Sequence, residues 1–366
     1  MIVMHRIFII TILILTVFGF LMVASSSFVE SQQAFGTPYH LFIKQLIIGG
    51  AGLFLFFAID KFFSVKTIKS LALIAFFVVF SLLLFVFIPG LSFIYGGATR
   101  WIDLGFFTFQ PSEFAKIGLI LFSAAWLASR KKEVKSLFKT FIPYLFIIGT
   151  PIVLILLQKN VSTFIITSVT MFVMIFMAGA KKRHLAGVAG VIGILFIAVV
   201  FIFPTRLDRV KVFLDKEIDP QGISYQVNQS LIAIGSGGIT GRGLGMSNQK
   251  FSFLPEPSGD SIFAIIAEEL GFMGAGTLIF VYLILFIEGI IITRKASDFG
   301  QLYIYGFMTL IMSQAFVNIG SVTGLIPFTG VTLPFISFGG TSLVALLIGA
   351  GIVARISREQ NNKKYF

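Results

Sequence analysis

Apolar segments of about twenty residues recur along the chain, and shorter polar stretches separate them. An α-helix of that length crosses the roughly 30 Å hydrocarbon core of a bilayer. The pattern predicts an all-α polytopic membrane protein, with ten transmembrane helices in one membrane domain over residues 1–366. We place these helices at about 6–25, 42–59, 70–89, 111–129, 140–157, 161–179, 185–203, 271–292, 301–320 and 334–354.

The first apolar segment could be mistaken for a secretory signal peptide. Its apolar stretch from Ile7 to Ala24 exceeds the roughly 7 to 15 residues of a cleaved signal's apolar region. We therefore expect it to remain in the protein as the first transmembrane helix.

Composition agrees with a membrane protein and excludes several kinds of site. Of the 366 residues, 57% are hydrophobic and 12% are charged, whereas soluble domains have about a quarter charged residues. The chain has no cysteine, which excludes disulfides, thiolate metal sites and a cysteine nucleophile. Its three scattered histidines argue against a histidine-built metal site.

The formal charge of +12 follows membrane topology rather than a nucleic-acid surface. Alternate short loops, together with Arg6 and the C-terminal tail, hold 18 of the 28 lysines and arginines, and the opposite short loops hold almost none. Lysine and arginine accumulate in cytoplasmic loops. We expect a multi-pass protein of the cytoplasmic (inner) membrane with both termini in the cytoplasm and no nucleic-acid partner.

One long loop, residues 204–260, connects the seventh and eighth predicted helices and is expected to lie outside the cytoplasm. It contains an apolar helical segment, Tyr225–Ile234, and then a glycine-rich run over 235–245. Glycines let main-chain amides approach an anion, although glycines alone are more often simple turns. Basic residues near the run favour an anionic, phosphate-bearing substrate; they are Arg206, Arg209, Arg242 and Lys250.

Three acidic features in or just before the predicted helices are candidates for function, since charges inside a membrane are costly. Glu113 and Lys116 are three residues apart on one helix face, as a functional pair or a structural ion pair. Glu268 and Glu269 are adjacent and point about 100° apart, so we expect that they do not share a partner and that at least one is structural. Asp260 ends the turn-forming stretch "PEPSGD" just before a helix, where it could cap the helix, act in catalysis, or do both.

Four long stretches together resemble the SEDS proteins, the shape, elongation, division and sporulation group that includes FtsW, RodA and SpoVE. They are "TRWIDLGFFTFQPSEFAKI", "YQVNQSLIAIGSGGITGRGLG", "FLPEPSGDSIFAIIAEELGFMG" and "NIGSVTGLIPFTGVTLPFISFGGTSL". The resemblance implies a ten-helix, inverting glycosyltransferase that polymerises lipid II into peptidoglycan strands and releases undecaprenyl diphosphate. It also implies as partners a class B penicillin-binding protein, other division or elongation proteins, and membrane lipid.

The resemblance also assigns roles to residues. Asp260 matches the essential aspartate of the family, thought to act as general base or to organise a divalent cation, Mg or Mn; no organic cofactor is implied. Glu113 and Lys116 match a family pair, and Arg100 with Trp101 matches an "RW" element. The expected substrate-binding residues are Arg100, Glu113, Lys116, Arg206, Arg209, Arg242, Lys250 and Glu256.

Some positions depart from the family pattern. Asn160 in "QKNVSTF" stands where many members have an aspartate, so it is either a lost cation ligand or a neutral oxygen donor. The stretch "LPEPSGDSIFAIIAEELG" favours the FtsW branch over the RodA branch. Two rival functions stay open, a flippase for a lipid-linked precursor with Glu113, Lys116 and Glu268 as a relay, and a non-catalytic scaffold.

Overall fold

The computed structural model describes residues 2–90, 92–95, 98–103, 108–202, 204–215, 222–251 and 253–362. Within these residues the fold is helical, with fourteen α-helices, one π-helical turn at Leu137–Phe141 and one small sheet. The helices are α1 Ile2–Ser26, α2 Phe28–Phe35, α3 His40–Phe62, α4 Val65–Ser70, α5 Ala72–Phe85, α6 Pro111–Ser129, α7 Ile142–Leu157, α8 Val161–Met177, α9 Lys182–Ile202, α10 Pro204–Leu214, α11 Ile223–Gly237, α12 Ile262–Thr293, α13 Asp298–Val322 and α14 Gly340–Asn362.

Each of the ten predicted transmembrane helices has a helix at its position, so the fold class predicted from the sequence is confirmed. The corresponding helices are α1, α3, α5, α6, α7, α8, α9, α12, α13 and α14. In the described part of the chain, seven helices are long and apolar enough to cross a membrane, and α5 and α8 are shorter apolar helices. This is a multi-pass membrane protein.

Two predicted helix starts were wrong. Helix α12 begins at Ile262 rather than at 271, because the apolar residues after Asp260 continue the helix through a kink at Gly271, whose φ is 66°. Helix α14 begins at Gly340 rather than at 334. Before it runs an irregular stretch, residues 323–339, here called the α13–α14 connection; Pro334 lacks an N–H, and Phe335 adopts a φ of 65°, which a helix does not allow.

Several elements outside the predicted spans were not foreseen. A three-stranded antiparallel sheet, β1 Ser92–Tyr95, β2 Ala98–Asp103 and β3 Thr108–Phe109, precedes α6. The short helix α2 follows α1, and α10 lies in the long loop. The helical segment expected in that loop at Tyr225–Ile234 is confirmed as part of α11.

Close packing places α6 inside the bundle. It packs against α5, α8, α13 and α14, and most of its side chains are buried. Small residues permit such proximity between membrane helices. A Cβ at Gly118 would lie 2.9 Å from the Val79 side chain of α5. The polar residues at the start of α6 are consequently enclosed by other helices.

Candidate active site

Asp260 lies in a tight turn, residues 256–261, here called the Asp260 turn, immediately before α12. The main-chain amides of Gly259 and Ser261 both donate to the carbonyl of Glu256 within the turn. The residue that flanks the helix start is Ser261, and its side chain makes no capping hydrogen bond. Asp260 Oδ1 is buried and has no hydrogen-bond partner among the described residues.

The surroundings of Asp260 raise its pKa to about 7. Burial is the main cause, and the neighbouring charge of Glu256 adds to it. The amides of Asp260 and Ser261 and the positive charge of Arg209 oppose this effect but do not cancel it. A carboxylate with a pKa near neutrality can accept a proton and release it again, as a general base must.

Two arginines from different elements come together, and the charge of one of them, Arg209, acts on Asp260. Arg209 of α10 donates to the carbonyl of Phe328 at 3.1 Å, and Arg100 of β2 donates to the carbonyl of Lys159 at 2.6 Å. Burial lowers the pKa of Arg100, and the nearby charge of Arg209 lowers it further. Arg100 Nε is buried without a partner in the described part of the chain. Two neighbouring guanidinium groups form a site suited to an anion.

Glu256 faces both Asp260 and a third acid, Glu30 of α2. Glu30 accepts a hydrogen bond from Ser258 at 2.8 Å. Burial raises the pKa of Glu30, and the charge of Glu256 raises it further. Glu30 was not identified from the sequence, because nothing in α2 shows that it reaches the Asp260 turn.

Glu113 and Lys116 form a buried ion pair, with 2.9 Å between Lys116 Nζ and Glu113 Oε2. The side chains are 8% and 4% exposed, so the pair is shielded from water. Lys116 also donates to Gln314 Oε1 of α13 at 3.2 Å. The two residues share one helix face as expected, and Gln314 is a partner that sequence reasoning missed.

Glu268 and Glu269 bind the same segment of the long loop. Glu268 accepts hydrogen bonds from the Ser247 hydroxyl and from the main-chain amides of Asn248 and Gln249. Glu269 accepts from the Ser247 amide and from Lys250 Nζ, which is 3.0 Å away. The expectation that the two glutamates do not share a partner is wrong, because a main-chain segment is long enough to reach both. We call this cluster, with Ser247 to Lys250, the glutamate clamp.

Lys250 and Arg242, both expected to bind substrate, contact the glutamate clamp. Lys250 Nζ also donates to the carbonyl of Gly245 at 2.6 Å and to Ser25 Oγ at 3.2 Å. The Arg242 guanidinium lies 3.8 Å from Glu268 and donates to the carbonyl of Ser236. These contacts favour a structural role for both residues. The side chain of Arg206 lies outside the described residues.

The glycine-rich run packs against the kink of α12. The amides of Arg242 and Gly243 donate to the carbonyls of Glu268 and Glu269, at 3.0 and 2.9 Å. In return, the amides of Phe272 and Met273 donate to Gly238 and Ile239. A Cβ at Gly241, whose φ is 82°, would collide with the main chain of Glu269. The glycines here permit close helix contact, which supports the turn interpretation over an anion cradle.

Asn160 caps a helix. Its Oδ1 accepts from the Thr163 amide at 3.3 Å at the start of α8, and its Nδ2 donates to Ser112 Oγ at 3.3 Å. The side-chain oxygen of Asn160, expected as a possible neutral donor to a cation, thus accepts a hydrogen bond from the helix start. Among the residues the structure describes, no three acidic or histidine side chains come together as a metal-binding group.

Comparisons with known proteins agree with one another. The family model of FtsW, RodA and SpoVE, described as "Cell cycle protein", matches residues 5–362. Stage V sporulation protein E of Bacillus subtilis (strain 168) is 39% identical over 355 residues, covering 96% of this chain and 95% of that protein. The probable peptidoglycan glycosyltransferase FtsW of Geobacter sp. (strain M18) is 36% identical and covers 94% of each chain.

Solved structures show the same fold. The rod shape determining protein RodA of Thermus thermophilus matches with a TM-score of 0.71 and 26% identity, over 96% of both chains. A chain from "Structural coordination of polymerization and crosslinking by a peptidoglycan synthase complex" matches with a TM-score of 0.77 and 29% identity, over 96% of this chain and 97% of that one. The match over nearly the full length places this chain in the SEDS family of FtsW, RodA and SpoVE.

Proposed function

We propose that this protein is a peptidoglycan glycosyltransferase that polymerises lipid II into glycan strands, with Asp260 as its general base. The observation that carries the proposal is the state of Asp260: a raised pKa of about 7, one carboxylate oxygen without a partner, and Arg209 beside it. Relatives named as probable peptidoglycan glycosyltransferases share the family and support the activity.

The reaction assigns one task to Asp260. The 4-hydroxyl oxygen of the acceptor sugar attacks the anomeric carbon of the donor sugar, and the bond from that carbon to the lipid pyrophosphate breaks. Asp260 accepts the hydroxyl proton as the new glycosidic bond forms. Attack from the face opposite the leaving group inverts the configuration, so one base is sufficient.

The leaving pyrophosphate requires positive charge rather than a protonating acid. Arg209 supplies that charge beside Asp260, and Arg100 supplies it beside Arg209, with Arg100 Nε free to donate among the described contacts. Lys250 and Arg242 are held by the glutamate clamp, so we assign the pyrophosphate to Arg100 and Arg209. Glu113 and Lys116 were expected to bind substrate. In this proposal they act indirectly, because Lys116 donates a hydrogen bond to Gln314.

A divalent cation, Mg²⁺ or Mn²⁺, is retained as a proposal. As an alternative to its role as base, Asp260 could hold the ion together with Glu256, the other carboxylate on the Asp260 turn, and the substrate pyrophosphate would complete the ligands. When bound, such an ion would neutralise charge on the leaving group. Polymerisation that persists undiminished in excess EDTA would exclude this role.

We further propose that the protein lies in the cytoplasmic membrane with both termini in the cytoplasm and the Asp260 turn outside. The distribution of lysine and arginine between alternate loops supports this orientation. The native chain has no cysteine, so a single Asn248→Cys variant gives an unambiguous label. An impermeant thiol reagent should label it from outside intact cells; labelling only after lysis would reverse the topology.

A class B penicillin-binding protein that cross-links the new strands is the proposed partner. A similar chain belongs to a peptidoglycan synthase complex that coordinates polymerisation and crosslinking. Co-purification with such a transpeptidase from cells tests the pairing. The sequence favours the FtsW branch, and a fluorescent fusion that concentrates at the division septum would support it, whereas side-wall patches would assign the protein to elongation.

The decisive experiment uses purified protein with lipid II in detergent. A polymerase converts lipid II into glycan strands that are visible on a gel, and Asp260→Asn should lower their yield about 10²- to 10⁴-fold. Strand formation excludes the flippase and scaffold alternatives. If the wild-type protein, alone and with its transpeptidase partner, makes no strands but moves lipid II across a vesicle membrane, the carrier function is correct.

A further inference from the structure

Three consecutive main-chain carbonyls of the Asp260 turn each accept a hydrogen bond from another part of the fold. The Phe338 amide donates to the carbonyl of Ser258 at 2.8 Å, and Ser337 Oγ donates to the carbonyl of Gly259 at 2.7 Å. Asn318 Nδ2 of α13 donates to the carbonyl of Asp260 at 2.8 Å. All three donors come from α13 or the α13–α14 connection, so these elements fix the position of Asp260.

Asn318 also holds the α13–α14 connection itself. Its Nδ2 donates to the carbonyl of Val331 at 2.6 Å, and the side chain is fully buried. Four residues earlier on the same helix face, Gln314 Nε2 donates to the next carbonyl, that of Thr332, at 3.0 Å. A Cβ at Gly330 would lie 3.3 Å from Asp260 Oδ2, so this segment also bounds the carboxylate.

Gln314 connects this arrangement to the buried ion pair. Its Oε1 accepts from Lys116, and Lys116 pairs with Glu113. A continuous path of polar contacts therefore runs from Glu113 through Lys116, Gln314 and the connection to Asn318 and Asp260. Buried side-chain amides in a membrane helix require partners, and the side-chain nitrogens of Asn318 and Gln314 donate to the α13–α14 connection and to the Asp260 turn.

We propose that Asn318 and Gln314 are positioning residues for the glycosyl transfer, acting on Asp260 through the α13–α14 connection. The inference rests on the proposed function of Asp260 as base. The carbonyls of the Asp260 turn are bound from α13 and the connection while Asp260 Oδ1 stays unpaired, so the base is fixed in place without its reactive oxygen being occupied. Misplacement of a reacting group by about 1 Å can cost about 100-fold in rate.

The test compares near-isosteric apolar variants with a matched control. Asn318→Leu removes both hydrogen bonds of Asn318, and Gln314→Met removes those of Gln314. The control is Gln301→Met, which loses one hydrogen bond to the carbonyl of Ala296 at the other end of α13. Each protein is assayed for kcat and KM with lipid II over a pH series, and its thermal unfolding is recorded.

We expect kcat to fall about 10- to 100-fold in Asn318→Leu and less in Gln314→Met, with KM within about twofold of wild type. The acid-side midpoint of the kcat profile should also shift, because the carboxylate moves relative to Arg209 and Glu256. The control should keep wild-type kcat and the wild-type midpoint. Ser337→Ala removes the hydrogen bond to the carbonyl of Gly259 and the one that Ser337 Oγ accepts from the Leu333 amide within the connection. It gives a smaller fall in the same direction and serves if Asn318→Leu does not fold.

Three results would overturn the inference. Unchanged kcat and midpoint in folded Asn318→Leu, or in Ser337→Ala where the former does not fold, would show that the bonds do not position the base. A raised KM at unchanged kcat would make these residues substrate ligands instead. Absence of strand formation by the wild-type protein would refute the proposed function itself, and this inference with it, which separates the two failures.

Discussion

Glu268 and Glu269 follow Asp260 by eight and nine residues, yet their carboxylates are in opposite situations. The two glutamates are fully buried and bound by amides, hydroxyls and Lys250. Asp260 is half-buried and keeps one oxygen unpaired, and its pKa is raised to about 7. Acids on the same short stretch thus divide between two that are bound by the fold and one that keeps an oxygen unpaired among the described residues, as the proposed general base requires.

The difference arises from which groups face each acidic side chain. The glycine-rich run lets the long loop approach α12 closely enough for main-chain amides to reach both glutamates. Around Asp260 the hydrogen bonds from α13 and the α13–α14 connection bind the main chain. The carboxylate is left to amides of its own turn, Arg209 and Glu256, and its Oδ1 has no partner among the described residues. Satisfied buried charges stabilise a structure, whereas a desolvated carboxylate with few partners is suited to proton transfer.

The largest expected effect is that of Asp260→Asn on polymerisation. Loss of a general base typically costs about 10²- to 10⁴-fold, so strand formation from lipid II should fall by that factor. The fold should remain intact, since the main-chain contacts of the turn do not involve the carboxylate. Gel analysis of the products and a melting curve measure both properties; near-wild-type activity would contradict the role of Asp260.

The same variant carries a stability prediction with a definite sign. The pKa of Asp260 is raised from its ordinary value of 3.8 to about 7, so the native state favours the protonated acid. Its contribution to stability is complete below about pH 4 and is lost as pH rises through 7. Asp260→Asn should therefore melt at or above the wild-type temperature at pH 8, and a clearly lower melting temperature would contradict the assigned environment.

Mutation of the glutamate clamp should lower the free energy of unfolding. Lys250→Met leaves Glu269 buried without its cation, and breaking a buried pair in this way typically costs about 3 to 5 kcal/mol. The thermal unfolding temperature should drop sharply, and Lys250→Met with Glu269→Leu should recover part of the loss. A variant that keeps wild-type stability but loses polymerisation would place Lys250 with the substrate instead.

The ion pair of Glu113 and Lys116 tests whether one buried pair can contribute both to stability and to catalysis. Lys116→Met removes the partner of Glu113 and the donor to Gln314. We expect a destabilisation of the same order, about 3 to 5 kcal/mol, together with a fall in kcat beyond that of Lys250→Met at equal folded protein. Wild-type stability and activity in both Glu113→Gln and Lys116→Met would show that the pair is solvated.

The smallest expected effect is a shift in the pH profile of polymerisation. The positive charge of Arg209 lowers the pKa of Asp260, and the negative charge of Glu256 raises it. The acid-side midpoint should therefore move to higher pH in Arg209→Gln and to lower pH in Glu256→Gln, in each case by about one unit or less. Shifts in the same direction for both variants would mean that another group controls the profile.

Sequence reasoning predicted the fold class correctly and singled out Asp260 as the catalytic candidate, a role that stays a prediction. It missed most of the partners of the charged residues. Hydrophobic run length predicted ten spans, and the described part of the chain has a helix at each, because a bilayer requires a minimum apolar length whatever the contacts are. The i and i+3 spacing of Glu113 and Lys116 predicted a shared helix face correctly. Glu30 was missed because the sequence of α2 has no pattern that marks the residue as part of a site. Gln314 and Asn318 could have been found, because two amide side chains four residues apart in an apolar helix share one face and require polar partners.

What the sequence determined by itself is therefore set by local chemistry and by the membrane: ten apolar spans, their loop charges and an aspartate at a helix start. Only the tertiary structure decided which charged side chains form structural contacts and which face Asp260. Lys250 and Arg242 were equal to Arg209 as substrate candidates in the sequence, but the glutamate clamp binds the first two, and Arg209 faces Asp260. Such partners come from distant parts of the chain, so their choice depends on how the helices pack.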